Sequence, residues 1–279
     1  MEVIKMSEKN AELVRLLKSY NKVLVAFSGG IDSTVVLDTA LKTLGKKNVV
    51  AVVANSDLFT DEEYAKAIHL AQELGATVKG VTLDYLANDE IKFNRPSSWY
   101  WMKKLFYQKM NDLKAQYDCD VVLDGMIMDD NDDFRPGLRA RDEEGAVSIL
   151  QLADIYKSDV RTIARANGLS NWNKVASCSV SSRFAYNTEL TVAGLQRVMK
   201  AESYLRRLGF PTVRVRVQDN LARIEVLADQ MNDLVAQMFD VNSTLKNLGY
   251  EFVTVDLEGF KSGRMNDSLS TEVKAALVD

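Results

Sequence analysis

Apolar positions in the first two-thirds of the chain follow two alternating patterns. Leu13, Leu16 and Leu17 share one face of a helix predicted over Ala11 to Tyr20. Val23 to Phe27 is a continuous apolar run, as in a strand covered on both faces. Ser28-Gly29-Gly30 breaks the run, and a helix is predicted from Ser33 to Leu44, stopping at Gly45. The alternation then repeats. A strand is predicted at Val49 to Ala54, and a helix opened by a Thr60/Glu63 capping box runs to Gly75. A strand at Thr77 to Leu83, a long helix at Trp99 to Tyr117 and a short strand at Val121 to Leu123 follow. Buried strands alternating with helices predict an α/β fold with a doubly wound parallel sheet. Such sheets bind ligands at the carboxyl ends of their strands. Asp118 to Glu144, crowded with aspartates around Arg135-Pro136-Gly137, reads as a long functional loop, and Ser158 is expected to cap a helix ending at Asn167.

The pattern changes near Asn187. A helix at Val192 to Leu208 precedes two alternating strands, Thr212 to Val217 and Leu221 to Leu227, joined as a hairpin by Gln218-Asp219-Asn220. A helix over Gln230 to Leu248 and a strand over Phe252 to Leu257 complete an α+β pattern. The expected division is therefore a parallel α/β domain at 1–186 and a smaller α+β domain at 187–279.

Composition narrows the function classes. With 279 residues and 47% hydrophobic side chains the chain can bury a large core. The 35 basic and 39 acidic residues give a net charge of −4, which excludes nucleic-acid binding by bulk charge. No apolar run is long enough for a membrane span, and the charged first ten residues do not resemble a signal peptide. Two cysteines, Cys119 and Cys178, exclude a disulfide scaffold and an all-cysteine metal site within one chain, so a reducing cytoplasm is the expected location. One histidine, His69, disfavours Ser-His-Asp chemistry.

Ser28-Gly29-Gly30-Ile31-Asp32-Ser33 lies directly between a buried strand and a helix. The glycines let backbone amides face a ligand, the helix N-terminus adds partial positive charge, and Ser28 and Ser33 offer hydroxyls. Asp32 cannot favour bare phosphate, so a ribose, an amide or a magnesium ion is its expected partner. The Walker and dinucleotide fingerprints are both absent.

This hexapeptide resembles the SGGxDS pyrophosphate loop of the PP-loop ATPases, which cleave ATP to AMP and pyrophosphate and activate an oxygen by adenylation. The remaining motifs are similar to the LarE-type sulfur transferases of nickel-pincer cofactor maturation for lactate racemase. They are Asp124-Gly125 with Asp129-Asp130, Arg135-Pro136-Gly137-Leu138, and Ser182-Arg183-Phe184-Ala185-Tyr186-Asn187-Thr188-Glu189. Ala201-Glu202, Ala222-Arg223-Ile224-Glu225-Val226 and Gly259-Phe260-Lys261-Ser262-Gly263 extend the likeness. Many relatives carry a Cys-x-x-Cys near the long helix, where this chain has Trp99-Tyr100-Trp101-Met102. The three-cysteine cluster is therefore missing, and no iron–sulfur cluster is expected. One remaining cysteine suits the form of the reaction in which the protein gives up its own sulfur.

The resemblance implies ATP and Mg2+ as cofactors and a pyridinium-3,5-biscarboxylic acid mononucleotide as substrate. Both carboxylates become thiocarboxylates at the expense of Cys178, which is left as dehydroalanine. Ser28, Gly29, Gly30, Asp32, Ser33 and Gly125 would bind ATP, with Ser182 and Arg183 beside the thiol. A symmetric homo-oligomer is implied as well. On local sequence alone Cys178, flanked by Lys174 and Arg183, reads equally as a thiolate nucleophile and as a small buried side chain. Arg214 and Arg216 share one face of a strand and suit a phosphate monoester, or else a solvated face paired with Arg223 and Glu225. Trp99 could stack on the pyridinium ring or belong to the core. Asp129, Asp130, Asp132 and Asp133 could hold magnesium through water or form a solvated acidic loop. Glu202 and Asp233 could serve a metal or act as a base, or lie on the surface. The competing functions are an ammonia-dependent PP-loop amide ligase, a tRNA thiolase and a nucleotide-binding module without catalysis.

Overall fold

The structure, a computed structural model, describes residues 2–132, 135–174 and 178–278. In chain order the helices and strands are α1 (Glu2–Leu17), β1 (Val23–Ala26), α2 (Ile31–Leu44), β2 (Val49–Asn55), α3 (Asp61–Glu73), β3 (Thr77–Thr82), α4 (Asp89–Lys92), α5 (Ser98–Gln116), β4 (Val121–Leu123), α6 (Gly137–Glu143), α7 (Ile149–Leu152), α8 (Lys157–Ala166), α9 (Val192–Arg207), β5 (Arg214–Gln218), β6 (Leu221–Glu225), α10 (Met231–Ala236), α11 (Met238–Asn247), β7 (Phe252–Val255) and α12 (Thr271–Val278). They form two compact units. One holds residues 1–84, 99–177 and 275–279, and the other 85–98 and 178–274. The division thus falls between 177 and 178, where the sequence pattern put it at 186, and the segment 85–98 joins the second unit.

The first unit is a parallel sheet in the order β3-β2-β1-β4. Successive strand residues enter opposite cores because side chains alternate across a sheet. Val23, Val25, Ala51, Val53 and Leu123 join Leu13 and Leu17 of α1, Val36 and Ala40 of α2, and Val160 of α8. Leu24, Val50, Val52 and Val122 join Tyr107, Met110 and Leu113 of α5 on the other face. Burial on both faces accounts for the unbroken apolar runs, each fully buried Val or Leu contributing about 1.5–3 kcal/mol. From β1 the chain winds outward to β2 and β3, then returns to β4 on the other side of β1. The carboxyl ends of β1 and β4 therefore flank the point where strand order reverses, the place for a ligand crevice.

In the second unit, α9 packs on β5, which pairs antiparallel with β6, and β6 pairs parallel with β7. Asp219 takes φ +52° in the turn, a left-handed conformation that Asp tolerates. The hairpin register sets Arg214 opposite Glu225 and Arg216 opposite Arg223. Segment 85–98 is fastened by Asn94, which is fully buried at φ +45°. Its Nδ2 donates to the Ala185 carbonyl at 3.0 Å and to that of Phe184 at 3.2 Å, and its carbonyl accepts from the Asn187 amide at 3.1 Å.

Three local expectations change. Beyond the expected strand β4, Asp118 to Glu144 holds α6 rather than a continuous loop, because Leu138, Ala140 and Arg141 support a short helix after Pro136. The helix expected to be capped by Ser158 has its N-cap two residues earlier, at Tyr156; Asp159 accepts from the Tyr156 amide at 3.0 Å, so the carboxylate closes the end. The helix expected over 230–248 is two, α10 and α11, separated at Gln237.

Asn94→Ala removes two buried hydrogen-bond donors and places a Cβ-bearing residue with no polar side chain at a left-handed φ. Stability should fall by about 1–3 kcal/mol, seen as a lower thermal midpoint. An unchanged midpoint would mean that the 85–98 segment is held by other contacts.

Candidate active site

The turn after β1 is organised by its own serines. Gly29 has φ +69°, and a Cβ there would lie 2.8 Å from the Ala67 Cβ, so only glycine fits. Ser28 Oγ accepts from the Gly30 amide at 3.2 Å and lies 3.1 Å from Ser33 Oγ. Ser33 Oγ donates to the Gly30 carbonyl at 3.1 Å. Gly30, at the N-cap of α2, has no side chain to occupy the first amides of that helix, which face the crevice as donors for an anion. Gly125 closes the other wall. A Cβ on it would stand 2.7 Å from the Ser33 amide nitrogen, so the end of β4 lies directly against the start of α2.

Asp32 projects from the first turn of α2, where Lys157 Nζ meets both its carboxylate oxygens at 2.7 Å. Burial raises the Asp32 pKa, Lys157 pulls it back, and Asp130 adds a smaller upward push. Within the chain the carboxylate therefore has a lysine partner. Lys174 Nζ, expected beside the thiol, donates to the Gly29 carbonyl at 3.1 Å. Asn171 Nδ2 reaches the same carbonyl at 3.2 Å.

Asp129 accepts from the Lys157 amide at 2.8 Å, and Asp130 accepts from the Ile127 amide at 2.9 Å and pairs with Arg135 at 2.8 Å. Asp133 and the side chain of Asp132 lie outside the described residues. Trp99 is half-buried in the first turn of α5.

Cys178 is exposed, whereas Cys119 packs in the core around α5, where burial raises its thiol pKa. Around Cys178 Sγ stand Ser182 Oγ at 3.4 Å and Arg183 Nη1 at 3.4 Å. Arg183 Nη1 also donates to Ser182 Oγ at 2.7 Å. The other edge of the guanidinium grips Glu202, with Nε to Oε1 at 2.8 Å and Nη2 to Oε2 at 3.1 Å. Both side chains are buried, 3% and 1% exposed. Burial opposes the charge on Arg183, and Glu202 more than offsets it, holding the guanidinium above its ordinary pKa. Burial likewise opposes ionised Glu202, but Arg183, then Arg214 and Arg206, keep its pKa low. Arg206 at 2.6 Å and the Val215 amide at 3.1 Å take the remaining capacity of Glu202. Glu202, suggested for a metal or a base, is thus the counter-ion of an arginine cluster.

The two arginines of β5 differ. Arg216 is held by Glu225 through Nε at 3.0 Å and Nη2 at 2.9 Å, and its Nη1 donates to the Ser182 carbonyl at 2.6 Å. Arg214 donates to the Val213 carbonyl at 2.8 Å and lies 5.1 Å over the Phe260 ring. Among the described residues it has no hydrogen bond to a carboxylate. Burial and then Arg183 lower its pKa, the signature of a cation short of counter-charge. A cavity of about 220 Å³ is lined by Ser182, Arg183, Tyr186, Arg216, Arg223 and Arg264, with Arg216 rather than Arg214 in its wall.

The fold therefore brings together Ser28, Gly29, Gly30, Asp32, Ser33 and Gly125 in the first unit. In the second it brings together Cys178, Ser182, Arg183, Glu202 and Arg214. Asp233 stands exposed in the first turn of α10. Among the described residues, no three His, Cys, Asp or Glu side chains converge as a metal site. Sequence reasoning missed Lys157 and Asn94; neither belongs to a local pattern that marks it.

A family model described as NAD synthase matches residues 9–97. A protein of Lactiplantibacillus plantarum described as pyridinium-3,5-bisthiocarboxylic acid mononucleotide synthase is 58% identical over 265 residues, covering 95% of this chain and 96% of that one. An uncharacterized protein of Synechocystis sp. is 38% identical over 95% of this chain and 99% of its own length. An uncharacterized protein of Methanocaldococcus jannaschii is 28% identical over 86% of this chain and 91% of its own length. At 58% identity over nearly the whole of both chains, this protein belongs to the LarE-type family, that of the pyridinium-3,5-bisthiocarboxylic acid mononucleotide synthase.

Proposed function

We propose that the protein is an ATP-dependent sulfur-inserting enzyme that converts the carboxylates of pyridinium-3,5-biscarboxylic acid mononucleotide to thiocarboxylates, using the sulfur of Cys178. The near full-length likeness to a named synthase supports the substrate. The observation that carries the chemistry is an exposed thiol with a buried guanidinium 3.4 Å from its sulfur.

A substrate carboxylate oxygen attacks the α-phosphorus of Mg-ATP; the bond to the bridging oxygen breaks and pyrophosphate leaves. The amides of the β1–α2 turn, with Ser28 and Ser33, bind the phosphates. The acyl-adenylate is a good acceptor because AMP is a good leaving group. The Cys178 sulfur attacks the acyl carbon, loses its proton and displaces AMP to form a thioester, with Arg183 Nη1 3.4 Å from it. A base removes the Cys178 α-proton, the electron pair forms the Cα–Cβ double bond, and the Cβ–S bond breaks. The product leaves as a thiocarboxylate and the chain keeps dehydroalanine, so each chain reacts once. Arg214 takes the substrate phosphate, Trp99 offers a stacking face, and magnesium arrives with ATP. We place this reaction in the cytoplasm, on a homo-oligomer.

Intact mass of the protein before and after reaction with Mg-ATP and the dicarboxylate should show loss of the elements of hydrogen sulfide, localised to the peptide bearing Cys178. Cys178→Ala should form adenylate but no thiocarboxylate. Thiolated product with unchanged protein mass would place the sulfur source elsewhere. Normal product formation by Cys178→Ala would leave only a general adenylating enzyme.

Arg214→Ala should raise the Kd for the mononucleotide by about 10–100-fold, the worth of one charge-assisted hydrogen bond. It should leave the Kd for the dephosphorylated nucleoside unchanged. Equal loss on both substrates would remove the phosphate role from Arg214.

A further inference from the structure

Lys103 lies in the second turn of α5, a helix whose N-terminal end sits at the carboxyl edge of the parallel sheet, because the chain enters it after β3 and leaves it for β4. Its stem is laid in a fitted groove. Gly137 touches it so closely that a Cβ there would lie 2.6 Å from the Lys103 Cγ. Its ammonium sits 5.4 Å from the centres of the Phe106 and Tyr107 rings. Burial lowers its pKa; Asp124 and, more weakly, Asp130 oppose this, and Arg135 adds to it.

The ammonium has no hydrogen bond or ion pair with a carboxylate among the described residues. Its two acidic neighbours are engaged elsewhere. Asp124 accepts from Tyr107 Oη at 2.5 Å, Ser148 Oγ at 2.7 Å and the Met126 amide at 3.1 Å. Asp130 is held by Arg135 and the Ile127 amide. A half-buried cation without a bonded partner is short of counter-charge, which a ligand anion would supply. Lys157 is already committed to Asp32, and Lys174 to the Gly29 carbonyl.

We infer that Lys103 is a binding residue for the β- and γ-phosphates of ATP, held in place by the Arg135-Pro136-Gly137 turn and the end of β4. This rests on the adenylation reading. Lys103 lies over the Tyr107 ring, Tyr107 Oη bonds Asp124, and the neighbouring Gly125 meets Ser33 of the phosphate turn. Most of the charge of ATP lies on the two phosphates that leave, and the electron pair of the broken bond settles on their bridging oxygen. A fixed ammonium there stabilises the leaving group as its charge grows. It also gives Gly137 a purpose, since any larger residue would displace the lysine stem.

Affinities of the full chain for ATP, AMP and inorganic pyrophosphate, each with magnesium and measured by calorimetry, test this. Lys103→Met should weaken ATP and pyrophosphate by about tenfold or more, the scale of a lost charge-assisted contact, and leave AMP unchanged. Lys103→Arg should restore part of the loss. Gly137→Ala, which keeps the charge but moves its stem, should shift ATP in the same direction and spare AMP. Unchanged ATP affinity in Lys103→Met, or equal weakening of ATP and AMP, overturns the assignment. So does unchanged ATP affinity with a raised Kd for the dicarboxylate, which would give the lysine to the substrate instead. Failure of the wild-type protein to release pyrophosphate with the dicarboxylate would sink adenylation itself, a result separable from any of these.

Discussion

A guanidinium sealed against a carboxylate underlies the reactive half of this molecule. Arg183 and Glu202 are both buried, and neither charge could remain there alone. Their two-point contact fixes the plane of the guanidinium, which leaves Nη1 directed at Cys178 and Ser182. The interaction therefore does more than stabilise: it turns a flexible side chain into a fixed positive edge beside a thiol. Glu202 also accepts from the Val215 amide, so the same carboxylate ties the thiol loop to the first residues of β5.

From that anchor the arginines sort themselves by partner. Arg216 commits its guanidinium to Glu225 and to the Ser182 carbonyl, and so supports the turn that carries Ser182 and Arg183. Arg214, two residues away on the same face, has an aromatic ring and a backbone carbonyl instead of a carboxylate. Two chemically identical residues on one strand thus hold different offices. The nucleotide half is arranged on the same principle. Lys157 neutralises Asp32, which would otherwise repel phosphate at the mouth of the turn, and the glycine contacts hold the walls at backbone distance.

The strand–helix alternation of the first unit was legible because burial on two faces writes continuous apolar runs into a strand, and Val23 to Phe27 is such a run. The phosphate turn was legible because its chemistry is contiguous: Gly29 for a positive φ, Gly30 beside it without a side chain, and two serines for hydroxyls within six positions. Boundaries fared less well. The aspartate-rich stretch hides α6 because acidic residues and a proline signal a turn locally, while packing of Gly137 and Ala140 supports helix. Glu202 read as an ordinary helical acid, since nothing in Ala201-Glu202-Ser203 announces burial beneath two arginines.

The sequence by itself determined the periodicity and the phosphate turn, both properties of residues close together in the chain, whereas the exposure of Cys178 came from the fold. The tertiary structure decided which charge meets which. Lys157 finds Asp32 across 125 positions, and Asn94 reaches Ala185 across 91. Lys103 lies in the groove left by Gly137. Many acids and bases are equivalent as letters. Only the fold removes water from some of them, and a charge without water must have a particular neighbour.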